Sequence, residues 1–265
     1  MSGADGWAPR LVALDIDGTV ANDVHEVTPP VLAAVGRARA AGAHVLLATG
    51  RSMTGARPVA QALGISRSAH VCSNGAVVAR LDPDEVLEAV TFDAGPIVRL
   101  LAASLPDALF AAEDLGRGHR VTRPFPAGEL TGELRVCSLE ELVEEPVTRL
   151  VVRQPDARAE QFLETVEALG LHGVNYVIGF TAWLDIAPDG VSKASGLARV
   201  AEMLGVARAD VLAIGDLHND VEMLMWAGRG VAMGQAPASV QEVADDVTDG
   251  FANDGAAVEL DRWFA

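Results

Sequence analysis

Cysteine is almost absent: Cys72 and Cys137 are the only two in 265 residues. Neither stands in a Cys-x-x-Cys or Cys/His metal pattern, and two residues build no disulfide framework. Aromatic residues are sparse at 5%, so a core has to come mainly from Ala, Val and Leu. Trp7, Trp183, Trp226 and Trp263 are too dispersed to form a stacking platform. Basic residues are outnumbered, 20 against 37 acidic ones, for a formal charge of −17. That deficit argues against nucleic acid as a partner, because affinity for it comes largely from Lys and Arg neutralising phosphates. It also sets an unfavourable long-range field for a phosphorylated metabolite, which would need local positive charge at its site. Salt screens distant charges within about 10 Å at 0.1 M ionic strength, so local chemistry can win. No uninterrupted apolar run reaches about 18 residues, and no basic-then-apolar leader precedes Leu11. The expectation is a soluble, cytoplasmic protein with no membrane partner, either a monomer or a homodimer. A Gly-rich loop ending in Gly-Lys-Ser/Thr is missing as well, which leaves Walker-type nucleotide binding unsupported.

What is present is a sizeable apolar fraction, 50% of the chain, with 26 glycines and 13 prolines to punctuate it. The length suits one large domain or two modest ones. After a tail (Met1 to Pro9) that reads as loose, Leu11-Val12-Ala13-Leu14 reads as a buried strand. Thr28-Pro29-Pro30 signals a helix start, with Thr28 at the N-cap, Pro29 first inside and Gly42 as the stop. A second apolar strand, His44–Ala48, precedes a helix near Thr54–Leu63 and then His70–Ala76. Strand–helix alternation of this kind predicts right-handed crossovers and a parallel sheet. From about Asp82 to Ala187 the texture changes. Strands alternate more, prolines divide the segment, and charged helices are expected over Ser138–Glu145 and Arg158–Leu169. The α/β pattern resumes with a helix over Ser192–Leu204, a strand over Val211–Ile214 and a short strand near Gly230–Met233. The fold class expected is α/β, a doubly wound parallel sheet of the Rossmann-like kind with an inserted α+β module. Residues 1–82 and 188–265 would form the core and 83–187 the insert.

Four segments carry candidate chemistry. Three sit at the carboxyl ends of predicted strands: Asp15-Ile16-Asp17-Gly18-Thr19, Thr49-Gly50-Arg51 and Gly215-Asp216-Leu217-His218-Asn219-Asp220. The fourth is Lys193, at the start of the helix after Pro188–Ser192. Strand ends of a doubly wound sheet lie along one edge, where ligands bind. Two carboxylates delivered there repel each other and lose hydration unless a cation or a reaction requires them. Together the segments offer four carboxylates, a hydroxyl, an ammonium and several turn amides, an oxygen-rich set suited to Mg²⁺. Each residue also has a duller reading. Thr49 and Asp216 could merely cap helices, Lys193 could be a solvated helix residue, and Arg51 could serve the fold.

The order and spacing of these motifs resembles the haloacid dehalogenase superfamily of phosphohydrolases, most nearly its Cof-type branch of sugar-phosphate phosphatases. The resemblance extends to Ser73-Asn74-Gly75-Ala76, Leu184–Lys193, Asn219–Leu224 and Asn253–Ala257. It implies phosphoryl transfer through an aspartyl-phosphate on Asp15, with Asp17 as the acid and base. Mg²⁺ would be held by Asp15, the backbone carbonyl of Asp17 and Asp216, with Asp220 nearby or through water. Thr49, the Gly50 amide, Lys193 and Asn219 would hold the substrate phosphate, and Arg51 and Asn74 are possible substrate contacts. The insert would be a cap over the site, and the partner a small phosphorylated metabolite, sugar phosphates being the leading class.

Some residues fall outside the pattern. His218 stands where the branch commonly has a charged or small residue, and Asp185 replaces a more usual glutamate. The remaining histidines (His25, His44, His70, His119 and His172) show no ligand spacing. Arg117–Arg123 is a locally basic stretch, readable either as a contact for a second anionic group or as an exposed hairpin. A dehalogenase needs no acid two residues after its nucleophile, so Asp17 favours phosphoryl transfer. A phosphomutase, or a non-catalytic phosphometabolite-binding protein, would keep the same core.

Overall fold

A computed structural model describes residues 7–22, 26–178 and 181–265; His25 and the first part of the tail, residues 1–6, lie outside them. The described end of the tail is not loose. Trp7 packs edge-on against Trp263, ring centroids 4.7 Å apart, and its Nε1 donates to the Ala209 carbonyl at 2.9 Å. An indole with its one donor satisfied and its rings partly buried against Trp263 explains why this short segment is held.

The chain opens with β1 (Leu11–Leu14), α1 (Pro29–Ala40), β2 (His44–Leu47), α2 (Met53–Ala62) and β3 (His70–Cys72), followed by β4 (Val77–Leu81) and β5 (Asp84–Ala89). Helix α1 begins where expected, but the Thr28 hydroxyl donates to Asp254 and caps no amide of its own helix. The middle of the chain gives α3 (Gly95–Ser104), β6 (Leu109–Asp114), β7 (Gly118–Val121), β8 (Glu133–Val136), α4 (Leu139–Leu142), β9 (Leu150–Arg153), α5 (Ala159–Leu169), β10 (Val174–Ile178) and β11 (Trp183–Pro188). The helix expected over Ser138–Glu145 is only the single turn of α4. The Ser138–Glu141 capping box starts it, but Pro146 disfavours helical geometry at Glu145 and leaves no room to propagate. The last part supplies α6 (Lys193–Leu204), β12 (Val211–Gly215), α7 (Val221–Trp226), β13 (Arg229–Ala232), α8 (Ala238–Gln241), β14 (Asp246–Val247) and α9 (Gly255–Phe264).

Five strands form a parallel sheet in the order β14-β13-β12-β1-β2. Its central strand, β1, shows why it reads as a continuous apolar run. Val12 and Leu14 join a cluster with Val31, Ala34 and Val35 of α1 and Leu260 of α9. Leu11 and Ala13 join another with Leu197 and Val200 of α6 and Met223 of α7. Both faces are therefore covered by helices, as a parallel sheet requires, and the fold is α/β and doubly wound. A second sheet, ordered β10-β11-β9-β6-β7-β8, is antiparallel apart from its β7–β8 pair. Helices α3 and α5 pack on one of its faces, through Val98, Leu101, Phe162 and Val166. Strands β3, β4 and β5 make a small antiparallel sheet. β5, just inside the 83–187 segment, thus pairs back onto β4. No described helix is long and apolar enough to cross a membrane.

Candidate active site

Register brings the predicted strand ends together. Leu14 lies beside Ile214 on one side and Leu47 on the other, so Asp15, Asp216 and Thr49 emerge along one edge. The chain then turns sharply: the amides of Thr19, Val20 and Ala21 all reach the Ile16 carbonyl, at 2.9–3.2 Å. Gly18 has φ +78, and a Cβ there would lie 2.4 Å from Asp216 Oδ2. Only glycine satisfies both the backbone and the space.

Lys193 is buried at the first position of α6, not solvated. Its Nζ donates to Asp15 Oδ1 and Asp220 Oδ1, each at 2.6 Å. Asp220 is fully buried, and its Oδ2 accepts the Asp216 and Leu217 amides at 3.0 Å. Side-chain oxygens of Asp15, Asp216 and Asp220 come within 4.8 Å of one another. Burial, and then the Asp220 charge, raises the Asp15 carboxyl well above its usual range against the pull of Lys193. Burial and Asp220 push Asp216 up to about 6, with Gln235 opposing. Burial alone would depress the Lys193 ammonium, but Asp15 and Asp220 hold it above its ordinary value.

Three carboxylates against one ammonium leave uncompensated negative charge, and Asp216 Oδ1 is buried with no hydrogen-bond partner among the described residues. Hard oxygen donors of this kind fit Mg²⁺, so the residues suit the ion that the sequence implies. Asp17, whose expected part in holding the ion is through its backbone carbonyl, keeps its carboxylate out of this cluster. Arg51 grips that carboxylate through both Nε and Nη2.

The phosphate-side residues also converge. Thr49 is buried and does not cap α2; Ser52 does so, accepting from the Gly55 amide. The Thr49 hydroxyl accepts from the Arg51 amide at 3.1 Å. A Cβ on Gly50 would lie 3.0 Å from Asn74 Oδ1, the atom that accepts from Asn219 Nδ2 at 3.0 Å. Ser73 and Asn74 both adopt left-handed φ, 52 and 51, a costly pair for residues with a Cβ. His218 meets Ser239 at 3.1 Å and lines a side cavity with Lys193 and Asn219.

Asp15, Asp17, Gly50, Arg51, Asn74 and Asn219 line a cavity of ≈ 370 Å³. Its far wall comes from the second sheet and its β7–β8 loop: His119, of the stretch readable as a substrate contact, with Glu129, Thr131, Arg149 and Asp185, which the sequence alone does not place at a site. Asp185, the departure from family habit, accepts from Arg149 Nε and Nη2 at 2.5 and 2.9 Å. Of the basic stretch, Arg120 pairs with Asp114 and Arg123 donates to the Asp107 and Ala108 carbonyls. His119 is the residue of that stretch that lines the cavity. Gln235 was also missed. It donates to the Gly18 carbonyl at 2.7 Å and Asp216 Oδ2 at 3.3 Å, and accepts from the Phe251 amide.

Residues 12–110 and 128–260 match a family described as haloacid dehalogenase-like hydrolase. The chain is similar to a phosphoglycolate phosphatase of Natronomonas pharaonis, 32% identical with 95% of this chain and 96% of the relative covered. It is likewise similar to a pyridoxal phosphate phosphatase of Escherichia coli (strain K12), 29% identical over 92% of this chain and 96% of the relative. Among solved structures, a phosphatase of the haloalkanoate enzyme superfamily from Bacteroides thetaiotaomicron superposes with a TM-score of 0.80 at 28% identity. That match covers 99% of this chain and 98% of the other. With most of its length matched and its carboxylates and lysine gathered at one sheet edge, the chain belongs to the haloacid dehalogenase-like hydrolases.

Proposed function

We propose that this phosphoric monoester hydrolase is a Mg²⁺-dependent phosphatase of small phosphorylated metabolites, sugar phosphates foremost, working through an aspartyl-phosphate on Asp15. The observation that carries the reading is the buried Asp15–Lys193–Asp220 contact, with Asp15 and, two residues on, Asp17 lining the cavity. Asp15 attacks phosphorus; an oxygen–phosphorus bond forms as the bond to the leaving alkoxide breaks. Asp17 supplies the proton that the alkoxide takes, then removes one from the water that attacks the aspartyl-phosphate and frees phosphate. To do so its carboxylate, itself half-exposed, leaves Arg51. Thr49, the Gly50 amide, Lys193 and Asn219 hold the phosphate oxygens, an electrostatic role that preorganised donors serve well.

Asp15, Asp216 and the Asp17 carbonyl would hold Mg²⁺, and Asp220 orders the cluster by taking Lys193 and two backbone amides. When bound, the ion offsets the repulsion between an anionic nucleophile and an anionic phosphoryl group. Residues 83–187 act in this reading as the cap, excluding water and supplying leaving-group contacts. The test is phosphate release from p-nitrophenyl phosphate and a sugar-phosphate panel, with Mg²⁺ and with EDTA, in the wild type and in Asp15→Asn. Release that needs the metal and Asp15, with an acid-quenched acyl phosphate on the Asp15 peptide, is the expected result. Binding without release would favour a non-catalytic protein. Transfer to a second sugar hydroxyl in excess of release to water would favour a mutase.

A further inference from the structure

The far wall of the cavity has a one-sided hydrogen-bonding chemistry. Strand register builds it. His119 on β7 stands opposite Glu113 on β6. The Glu113 amide donates to the Arg149 carbonyl on β9, and Asp185 on β11 clasps the Arg149 guanidinium. The loop over this row is set by Thr131, whose hydroxyl meets Ser52 and Thr54 at the start of α2, 3.2 and 3.0 Å away. His119 is only 2% exposed. Its Nδ1 lies 3.2 Å from the Thr131 carbonyl. A carbonyl only accepts, so the ring proton is on Nδ1 and Nε2 is a bare lone pair. That Nε2 is buried and has no hydrogen-bond partner among the described residues. Burial, and then the Arg149 charge, holds the ring down to about 4, which keeps it neutral at pH 7.

Donors at this wall are turned onto its own carboxylates. Arg149 gives Nε and Nη2 to Asp185, and the Trp183 indole donates to Asp185 at 2.9 Å. Glu129 is taken by Arg153 of the same sheet. Among the described residues, the wall is rich in acceptor capacity: His119 Nε2 and the remaining lone pairs of Asp185 and Glu129. An anionic end group brings only acceptors. It would meet the Asp185 and Glu129 carboxylates and an imidazole lone pair, with the Arg149 charge already offset by Asp185.

We propose that His119 is a specificity-determining residue whose Nε2 accepts a hydrogen bond from a hydroxyl of an uncharged leaving group. By the same chemistry the wall rejects leaving groups that end in a carboxylate or a second phosphate. This rests on the phosphatase reading of the same cavity, and it separates the chain from its relative named for phosphoglycolate, whose leaving group carries a carboxylate.

Matched pairs test it: glycerol 3-phosphate against 3-phosphoglycerate, and sorbitol 6-phosphate against 6-phosphogluconate. In each the terminal hydroxymethyl becomes a carboxylate. The wild type is expected to favour the hydroxymethyl member of at least the longer pair by about tenfold or more in kcat/KM. In His119→Phe, the ratio of kcat/KM for sorbitol 6-phosphate to that for p-nitrophenyl phosphate falls about tenfold, the loss of one hydrogen bond. His119→Gln, whose amide oxygen can accept, recovers part of that ratio. A merely structural role would lower both substrates together and leave the ratio unmoved, which overturns the proposal. So does a wild type that prefers the carboxylate members. Failure to release phosphate even from p-nitrophenyl phosphate overturns the phosphatase reading, and this inference with it.

Discussion

Lys193 and Asp15 make opposite predictions, although they share a hydrogen bond. Removing the ammonium in Lys193→Met leaves Asp15 and Asp220 facing each other in a buried site. Breaking a buried pair this way costs about 3–5 kcal/mol, which urea unfolding monitored by circular dichroism would register. Asp15→Asn instead deletes one of two mutually repelling carboxylates and leaves Lys193 its Asp220 partner. Its unfolding midpoint should equal or exceed that of the wild type, while phosphate release falls by about a thousandfold or more. Histidine sets the acid limb. His70 is buried, accepting the Leu47 amide at Nδ1 and facing the Ile65 carbonyl with Nε2, and burial holds it down to about 4. The unfolded chain takes up a proton near 6.5 that the folded chain refuses until about 4. Stability therefore rises with pH across that window and is lost as pH falls from about 6.5 to 4. In His70→Leu the slope of unfolding free energy against pH in the window should drop by about one proton. The carboxylates and Thr49 were legible because each sits in a short motif at a strand end, and Lys193 because its motif opens a helix. That His119, Arg149 and Asp185 share one wall was not, because they stand on three separate strands and only sheet register decides that they meet.

Elements position the site through their ends. The turn after β1 and the loop after β12 face each other across Gly18 and Asp216, and Gln235, just beyond β13, ties the two together. In Gln235→Ala both lose an anchor without any carboxylate being removed. Outer partners of this kind typically set metal affinity by about 10–100-fold, so half-maximal activation should need at least about tenfold more Mg²⁺. A titration of initial rate against Mg²⁺ checks this, and unchanged half-activation would relieve Gln235 of the role. At this scale the sequence was most readable where one physical signal sufficed. The unbroken apolar run of β1 and the Pro29 start of α1 came out as expected, as did the span of α6. Pairing partners were harder. Nothing local in Asp84–Ala89 says that it hydrogen-bonds to Val77–Leu81, since that choice depends on a turn and on what both strands cover. The overreach at Ser138–Glu145 has a similar origin, a sound start signal with too little chain before Pro146.

Over the whole molecule, a formal charge of −17 surrounds a site proposed to take dianionic substrates. Local chemistry answers at close range with Lys193 and, when bound, Mg²⁺, but neither reaches a substrate still many ångströms away. At low salt the long-range field lowers the concentration of phosphate esters near the cavity mouth. Raising ionic strength from about 0.01 M to 0.15 M shortens the screening length from about 30 Å to 8 Å, which removes most of that penalty and leaves contacts within the site little altered. The expected outcome is that kcat/KM rises with sodium chloride, by on the order of two- to fivefold, with KM carrying the change and kcat nearly constant. Enzymes that steer their substrates electrostatically show the reverse. A neutral osmolyte at matched osmolarity should do nothing. A kcat/KM that falls with salt would mean that attraction from the site's own cations extends beyond the mouth and outweighs the surrounding acidic surface.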